Sequence, residues 1–187
     1  MLRRTLITSM AILFTASFLQ DASVTAAEFP DRIKVGDSEL TLNGRGVRKK
    51  SFLSLYTAGI YLKNRTGDAD TIINADEAMA IAIEITSGFV SQQKMVAALN
   101  EGLQKSTGGN TAALKQEIEQ FQACFGEDIT KSDVFSIAYL PPHGVIVSKN
   151  GQQKGVIKGL AFKKALFGIW LGDNPVDPGL KNAMLGR

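Results

Sequence analysis

"LNGRGVRKKSFLSLYTAGIYL", residues 42–62, carries the two readings on which the fold turns. Its first part lies within ELTLNGRGVRK, which alternates in hydropathy and contains Asn43-Gly44, a pair that favours the tight turn of a β-hairpin. Its second part, SFLSLYTAGIYLK, is rich in β-branched and aromatic residues and has apolar side chains on both faces. That composition predicts a central strand covered on both sides. Arg45, Arg48, Lys49 and Lys50 gather between the two parts, and their purpose is the first functional question.

Beyond this stretch, NRTGDAD reads as a loop and MAIAIEIT as a strictly alternating strand with Ile81, Ile83 and Ile85 on one face. The period then changes. Ser91 is placed to cap a helix over QQKMVAALNEGLQK whose inner face carries Met95, Leu99 and Leu103. STGGN breaks it, and Asn110 or Thr111 starts a second helix with Leu114, Ile118, Phe121 and Phe125 on one side. The strands VFSIAYL and GVIVSKN follow, separated by PPHG, and Asn150-Gly151 turns the chain into QQKGVIKG. LAFKKALFGIWL forms a helix closed by Gly172, and Asp177 caps a last short helix with Pro178 at its first position. The order of elements gives an α+β protein, an antiparallel sheet covered by a layer of helices.

The N-terminus has another character. MLRR is a short basic start, LITSMAILFTASFL is apolar but too short to span a bilayer, and SVTAAEF offers small residues for cleavage after Ala26 or Ala27. Residues 1–27 are therefore expected to be a secretory signal peptide, leaving a single domain over 28–187 and no stable membrane insertion after cleavage. Without the leader the chain has 19 cations against 17 anions, a net charge of +2. Such a balance argues against nucleic acid as a partner. Cys124 is the only cysteine, so no internal disulfide is available; it falls on the apolar side of a helix and reads as a small buried hydrophobe.

The common signatures of catalysis are missing: no GxSxG, no P-loop, no HExxH and no CxxC. His143 is the only histidine and sits in the turn LPPHG, while no carboxylates cluster at ligand spacing, so neither a metal nor another cofactor is expected. Glu127, Asp128 and Asp133 read as loop and cap residues. Lys163 and Lys164 read as a solvated stripe with buried stems, and Trp170 as core. Arg48 differs from its cationic neighbours. It precedes a covered strand and follows Gly44 and Gly46, which permit close backbone approach. A guanidinium there needs an anion or several acceptors, and its fork fits a carboxylate or phenolate. Those acceptors can be a ligand's or the fold's own.

Two segments resemble the chalcone isomerase fold family, in particular its bacterial exported members. LNGRGVRKK and LYTAGIYL resemble the family's G-x-G-x-R strand and the Y-x-x-G-x-Y strand after it, and FKKALFGIWLGDNPVDPGLKNAMLG is similar to its closing W-L-G-D-x-P-x-x-x-x-x-K helix pair. The resemblance spans about residues 30–187 and implies an open-faced antiparallel sheet with a helical layer and a ligand cleft between them. In plant enzymes of the family the arginine orients a substrate oxyanion, with a threonine on the next strand, a tyrosine, an asparagine and a hydroxyl residue completing the site. Related plastid members bind fatty acids, holding the carboxylate with the arginine and a tyrosine. Arg48 matches the arginine. Tyr56 stands where the enzymes carry threonine and the fatty-acid binders carry tyrosine; Thr57 is one residue away, on the other face. The catalytic tyrosine is replaced by Lys94 or a neighbour, Asn100 matches the asparagine only in a shifted register, and the last hydroxyl position falls on or near Ile169.

The resemblance therefore implies a non-catalytic, exported, periplasmic binding protein for a small apolar carboxylate such as a fatty acid, or for an aromatic ligand, with Arg48 and Tyr56 as the binding pair. An alternative is an intramolecular lyase or isomerase acting on a chalcone-like enone through Arg48, Tyr56 and Thr57. A third is a structural or interaction module without ligand. The binding reading requires the counter-charge of Arg48 to come from outside the polypeptide. The sequence sets no oligomeric state.

Overall fold

The computed structural model describes residues 29–187, so the expected leader over residues 1–27 lies outside the described residues. Seven strands pair in chain order into one antiparallel sheet: β1 (Arg32–Val35), β2 (Ser38–Lys50), β3 (Leu53–Leu62), β4 (Met79–Ile85), β5 (Val134–Leu140), β6 (Gly144–Lys149) and β7 (Gln152–Ile157). The sheet curls into a half-barrel. Helix α1 (Ala69–Asn74) joins β3 to β4, and α2 (Gln92–Ser106) with α3 (Lys115–Ala123) joins β4 to β5. Helices α4 (Leu160–Leu171) and α5 (Pro178–Met184) close the chain.

Alternation along β4 sorts the core, as expected from its pattern. Ile81, Ile83 and Ile85 face the helices, together with Ala58, Ile60 and Leu62 of β3. Met95, Leu99 and Leu103 of α2 pack on them from above, with Phe162, Leu166 and Trp170 of α4. Phe121 meets Phe125 edge-on at 5.2 Å and Phe162 at 5.6 Å, which ties α3 to α4. The alternate residues of β4, Ala80 and Ala82, join Tyr61, Leu40 and Val35 in a smaller cluster on the opposite face. Strand β3 is buried on both sides from Ala58 onward, whereas Leu53 to Thr57 are half-buried or exposed. The covered strand is thus half a strand, and its open half carries Tyr56.

The caps follow the sequence. Ser91 Oγ accepts from the Lys94 amide at 3.4 Å, Asp177 Oδ1 accepts from the Leu180 amide at 3.1 Å, and Pro178 opens α5. Asn150 and Gly151 turn the chain between β6 and β7 with φ of 50° and 79°, as a two-residue hairpin of this pair requires. Cys124 is buried, and burial pushes its thiol pKa up. His143 is exposed in its turn.

Four expectations need correction. Asn43-Gly44 is not a turn: β2 runs through it, with a bulge between Leu42 and Gly44. A Cβ on Gly44 would stand 2.1 Å from the Ala183 carbonyl oxygen, so glycine is there for the close approach of α5. Asn43 is spent on tertiary ties, donating to Met184 O at 2.8 Å and Thr66 O at 3.0 Å while accepting from the Thr66 amide at 2.8 Å. The hairpin in this region is instead Gly36-Asp37, between β1 and β2. Second, the expected loop NRTGDAD runs into a helix, α1, capped by Asp68 through the amides of Asp70 and Thr71. Third, α3 starts later than Asn110 or Thr111: a single 3-10 turn, Ala112–Leu114, with Thr111 at its N-cap position but no side-chain cap, leads into it.

The fourth correction is Lys163. It is not on a solvated stripe but wholly buried. Its ammonium donates to the carbonyls of Ile72, Ile73 and Ala75 at 2.8, 2.9 and 2.8 Å. These are the orphan acceptors at the C-terminus of α1, where a cation is also favoured by the helix dipole. The rings of Phe167 and Tyr139 flank it at 5.2 and 5.5 Å. Three donors meet three acceptors, which is how a charge survives in this core.

Candidate functional site

The G-x-G-x-R motif acquires a physical meaning from the bare face of β2. Gly44, Gly46 and Arg48 are spaced by two residues and pair with Ile60, Ala58 and Tyr56 of β3, all on the face that meets the helices. Helix α5 lies directly on the two glycines: a Cβ on Gly46 would be 2.6 Å from Ala183 Cβ. Beyond the end of α5 the face reopens, and Arg48 fills that position.

Arg48 and Tyr56 are therefore cross-strand partners on one face. Trp170 Nε1 reaches down from α4 and donates to Tyr56 Oη at 3.1 Å. Arg48 Nη1 donates to the Lys49 carbonyl and to Asp177 Oδ2 at 3.4 Å. The side chains of Arg48 and Asp177 keep 21% and 17% of their exposure, so the pair is shielded but not sealed. Asp177 Oδ2 also accepts from the Lys49 amide at 3.1 Å. The requirement that the counter-charge of Arg48 come from outside the chain is thus not met. The acid that caps α5 supplies it.

Electrostatics follow this arrangement. Burial raises the Tyr56 phenol above its ordinary pKa; the Trp170 donor and the Arg48 charge pull the other way without overcoming it. Burial also raises the Asp177 carboxyl, but amide donors from Leu180 and Lys49 and the Arg48 charge outweigh it, and Asp177 lies below the usual carboxylate range. At neutral pH the site consists of a guanidinium, a carboxylate and a neutral phenol. Both protein acceptors take Nη1 of Arg48, the guanidinium also hydrogen-bonds the Tyr56 phenol, and among the described residues no acceptor takes the phenolic proton of Tyr56, so part of the five-donor fork and the phenol proton stay unused. Spare donors from two side chains lie side by side, which suits an anion.

The other candidate residues lie elsewhere. Thr57 is on the opposite face of β3, in register with Val47 and Glu84, so the set Arg48, Tyr56 and Thr57 is not assembled around one substrate position. Lys94 donates to the Phe89 carbonyl at 3.0 Å, and Asn100 accepts from Gln122 at 2.6 Å. Ile169 is buried against Gly102, where a Cβ would approach its Cγ2 to 2.7 Å. Of these three positions only Ile169 serves packing, while Lys94 and Asn100 are spent on hydrogen bonds away from Arg48 and Tyr56. A groove of about 340 Å³ between α1, α2 and α4 is lined by Asn74, Ser106, Thr107, Lys164, Gly168 and Asp173 and includes neither Arg48 nor Tyr56.

Asp177 and Trp170 were legible only as a helix cap and a core residue. The signal that links them to Arg48 is geometric: two glycines on one strand face call for an overlying helix, and that helix begins at Asp177.

Comparison with known proteins agrees with this architecture. "Fatty-acid-binding protein 1" of Arabidopsis thaliana is 26% identical over 201 residues, covering 88% of this chain and 69% of that protein. The crystal structure of an Arabidopsis thaliana fatty-acid binding protein matches with a TM-score of 0.66 at 22% identity, over 84% of this chain and 90% of that one, a likeness of fold. A family model described as chalcone isomerase-like matches residues 21–186. With the two-glycine strand, its arginine and the closing helix pair in place, the chain belongs to the chalcone isomerase-like family.

Proposed function

We propose that the protein is an exported binding protein for a fatty acid or a similar apolar carboxylate, held at its head group by Arg48 and Tyr56. The observation that carries this reading is the adjacency of unused donors on those two side chains, on a half-open stretch of β3. The fatty-acid binding named for the Arabidopsis relatives supports it. The grip proposed differs from the one expected, in which Arg48 had no internal counter-charge: Asp177 stays in place as the cap of α5, and an incoming carboxylate shares the guanidinium with it. Repulsion between the two carboxylates puts the head-group contribution at the low end of the roughly 1.5–3 kcal/mol of a charged hydrogen bond. The remaining affinity comes from the chain, at about 0.8 kcal/mol per buried CH₂. Leu55 and Val176, the sequence neighbours of Tyr56 and Asp177, offer half-buried apolar surface beside the donors. Export is part of the proposal and rests on the leader pattern of residues 1–27. The intact mass of protein recovered from the periplasm of an expressing bacterium should start at Ala27 or Glu28.

Native mass spectrometry of the exported protein, with organic extraction, is expected to recover a carboxylic acid. Titration with dodecanoate is expected to weaken several-fold in Tyr56→Phe and Arg48→Met and to tighten in Asp177→Asn, which keeps a cap but removes the competing charge. Unchanged affinity in all three variants would move the head group elsewhere.

A second reading has Asp177 in its favour. With its counter-charge supplied internally, Arg48 serves as a fastener for α5, and the module binds no ligand. Under that reading dodecanoate leaves the thermal midpoint where it was, whereas a ligand of the folded state raises it.

A further inference from the structure

The end of the sheet that carries Arg48 and Tyr56 also carries the two most exposed large apolar side chains among the described residues. Phe52, in the β2–β3 turn, is 91% exposed, and Phe89, in the loop between β4 and α2, is 62% exposed. They share this end by topology. Strand β3 begins at Leu53, β4 ends at Ile85, Tyr56 pairs with Ile85, and the Thr86 amide donates to the Leu55 carbonyl at 3.1 Å. Both residues lie beyond the last rung of that ladder in the chain. The turn is held in shape around Phe52, with Ser51 at φ 56°. Lys94 fixes the other loop by donating to the carbonyl of Phe89 itself at 3.0 Å.

The charge around the two rings has one dominant sign. Lys49 and Lys50 flank the turn and are exposed, and Lys94, also exposed, sits at the base of the second loop. Two acids lie close to them: Glu101 of α2, whose carboxylate is engaged by Lys105 at 2.6 Å, and Asp177, whose carboxylate is engaged by Arg48 and the Lys49 amide. Ordered aromatic tips rimmed by lysines match the chemistry of a bilayer interface. Phenylalanine partitions among the acyl chains near the headgroups, and lysine ammonium groups meet lipid phosphates. Lysines alone would suit an acidic protein surface equally; two bare phenylalanines on separate loops at one end of the sheet add what a bilayer interface takes.

We propose that this end of the molecule docks on an anionic lipid bilayer, with Phe52 and Phe89 entering the interface and Lys49, Lys50 and Lys94 meeting the phosphates. The docking surface surrounds the Arg48–Tyr56 position, so a bound molecule would face the membrane there. The docking itself does not depend on that ligand.

The test is co-sedimentation of the protein recovered from the expressing cell, its N-terminus fixed by intact mass, with vesicles. One set is phosphatidylcholine alone and the other contains roughly one-third phosphatidylglycerol. Binding is expected to the anionic vesicles and not to the neutral ones, and to fall on raising NaCl to about 0.5 M. Phe52→Ser with Phe89→Ser should weaken it roughly tenfold or more, and Lys49→Gln with Lys50→Gln roughly fivefold for each cation. A Phe52→Trp variant adds a direct readout, a blue shift of the new indole on vesicle addition. Because both rings are exposed, the variants should keep the wild-type melting temperature. Equal binding of wild type and the double serine variant overturns the proposal, since any remaining membrane contact then lies elsewhere. So does a concentration-dependent dimer, abolished by Phe52→Ser, in a protein that ignores vesicles.

Discussion

Arg48 Nη1 stands 3.4 Å from Asp177 Oδ2, joining residues 129 positions apart, the end of β2 and the cap of α5. Asp177→Ala removes the counter-charge and the cap together and is expected to lower stability by about 1–3 kcal/mol. Asp177→Asn keeps a capping oxygen and should lose about 1 kcal/mol or less. Asp177 titrates below its unfolded value, so its contribution is complete above the ordinary carboxylate range and disappears as pH falls through the lower folded pKa. Urea midpoints across acid pH should therefore fall less steeply for Asp177→Asn than for wild type. Identical acid slopes would assign Asp177 to capping alone.

Trp170 is the only tryptophan in the chain, and its indole N–H donates to Tyr56. Tyr56→Phe leaves that buried donor without a partner, at a loss of about 1–3 kcal/mol. The emission of Trp170 should change in the same variant, because its one hydrogen bond is gone. Wild-type emission together with wild-type stability would mean the bond does not form in solution.

Gly44 and Gly46 face α5 without side chains. Gly44→Ala pushes a Cβ against backbone oxygens at 2.1 and 2.8 Å, which cannot yield without moving the helix. Gly46→Ala meets Ala183 Cβ at 2.6 Å and Leu180 Cδ1 at 3.2 Å, softer neighbours. Overpacking of this kind costs about 1–3 kcal/mol, with Gly44→Ala at or beyond the upper end. Denaturant unfolding should rank the two in that order.

Burial, reinforced by the charge of Lys164, pushes Lys163 down to about 8, although Asp76 and Glu77 pull it upward. The unfolded chain then holds the proton more tightly than the folded one, so stability from this group grows as pH rises from about 8 to about 10.4. The buried phenols Tyr61 and Tyr139, pushed up to about 12, act only above about pH 10 and in the opposite direction. Thermal midpoints between pH 8 and 10 should climb in wild type and, in Lys163→Met, drift down instead, because the buried Cys124 thiol, pushed up in the fold, gives up its proton more readily in the unfolded chain. That variant also strands three carbonyls and should lose about 2–4 kcal/mol at neutral pH.

The sheet was legible where burial sorts residues by period. Ile81, Ile83 and Ile85 face one way in the sequence and in the fold, and Met95, Leu99 and Leu103 do the same on α2. Asn150-Gly151 and the Ser91 and Asp177 caps are local chemistry and read correctly. Asn43-Gly44 did not, because its purpose is set by α5, more than a hundred residues away; a turn signal and a close-approach signal use the same two residues. Lys163 misled for a related reason. Its acceptors belong to α1, a six-residue helix too short to announce itself by period. At the site, Arg48 and Tyr56 share a face as expected, while the counter-charge from Asp177 required knowing where α5 lands.

Every strand hydrogen-bonds to its neighbour in the chain, so the sheet can zip up in chain order, through tight turns at four of its connections and through helical ones between β3 and β4 and between β4 and β5. The helix that carries Trp170 and the one that clasps β2, Leu160–Leu171 and Pro178–Met184, follow the whole sheet in the chain. Until they arrive, the isoleucine row is covered only in part, by α2 and α3. The unfinished fold is therefore sticky late rather than early, and its dependence on holding factors should last until these two helices dock.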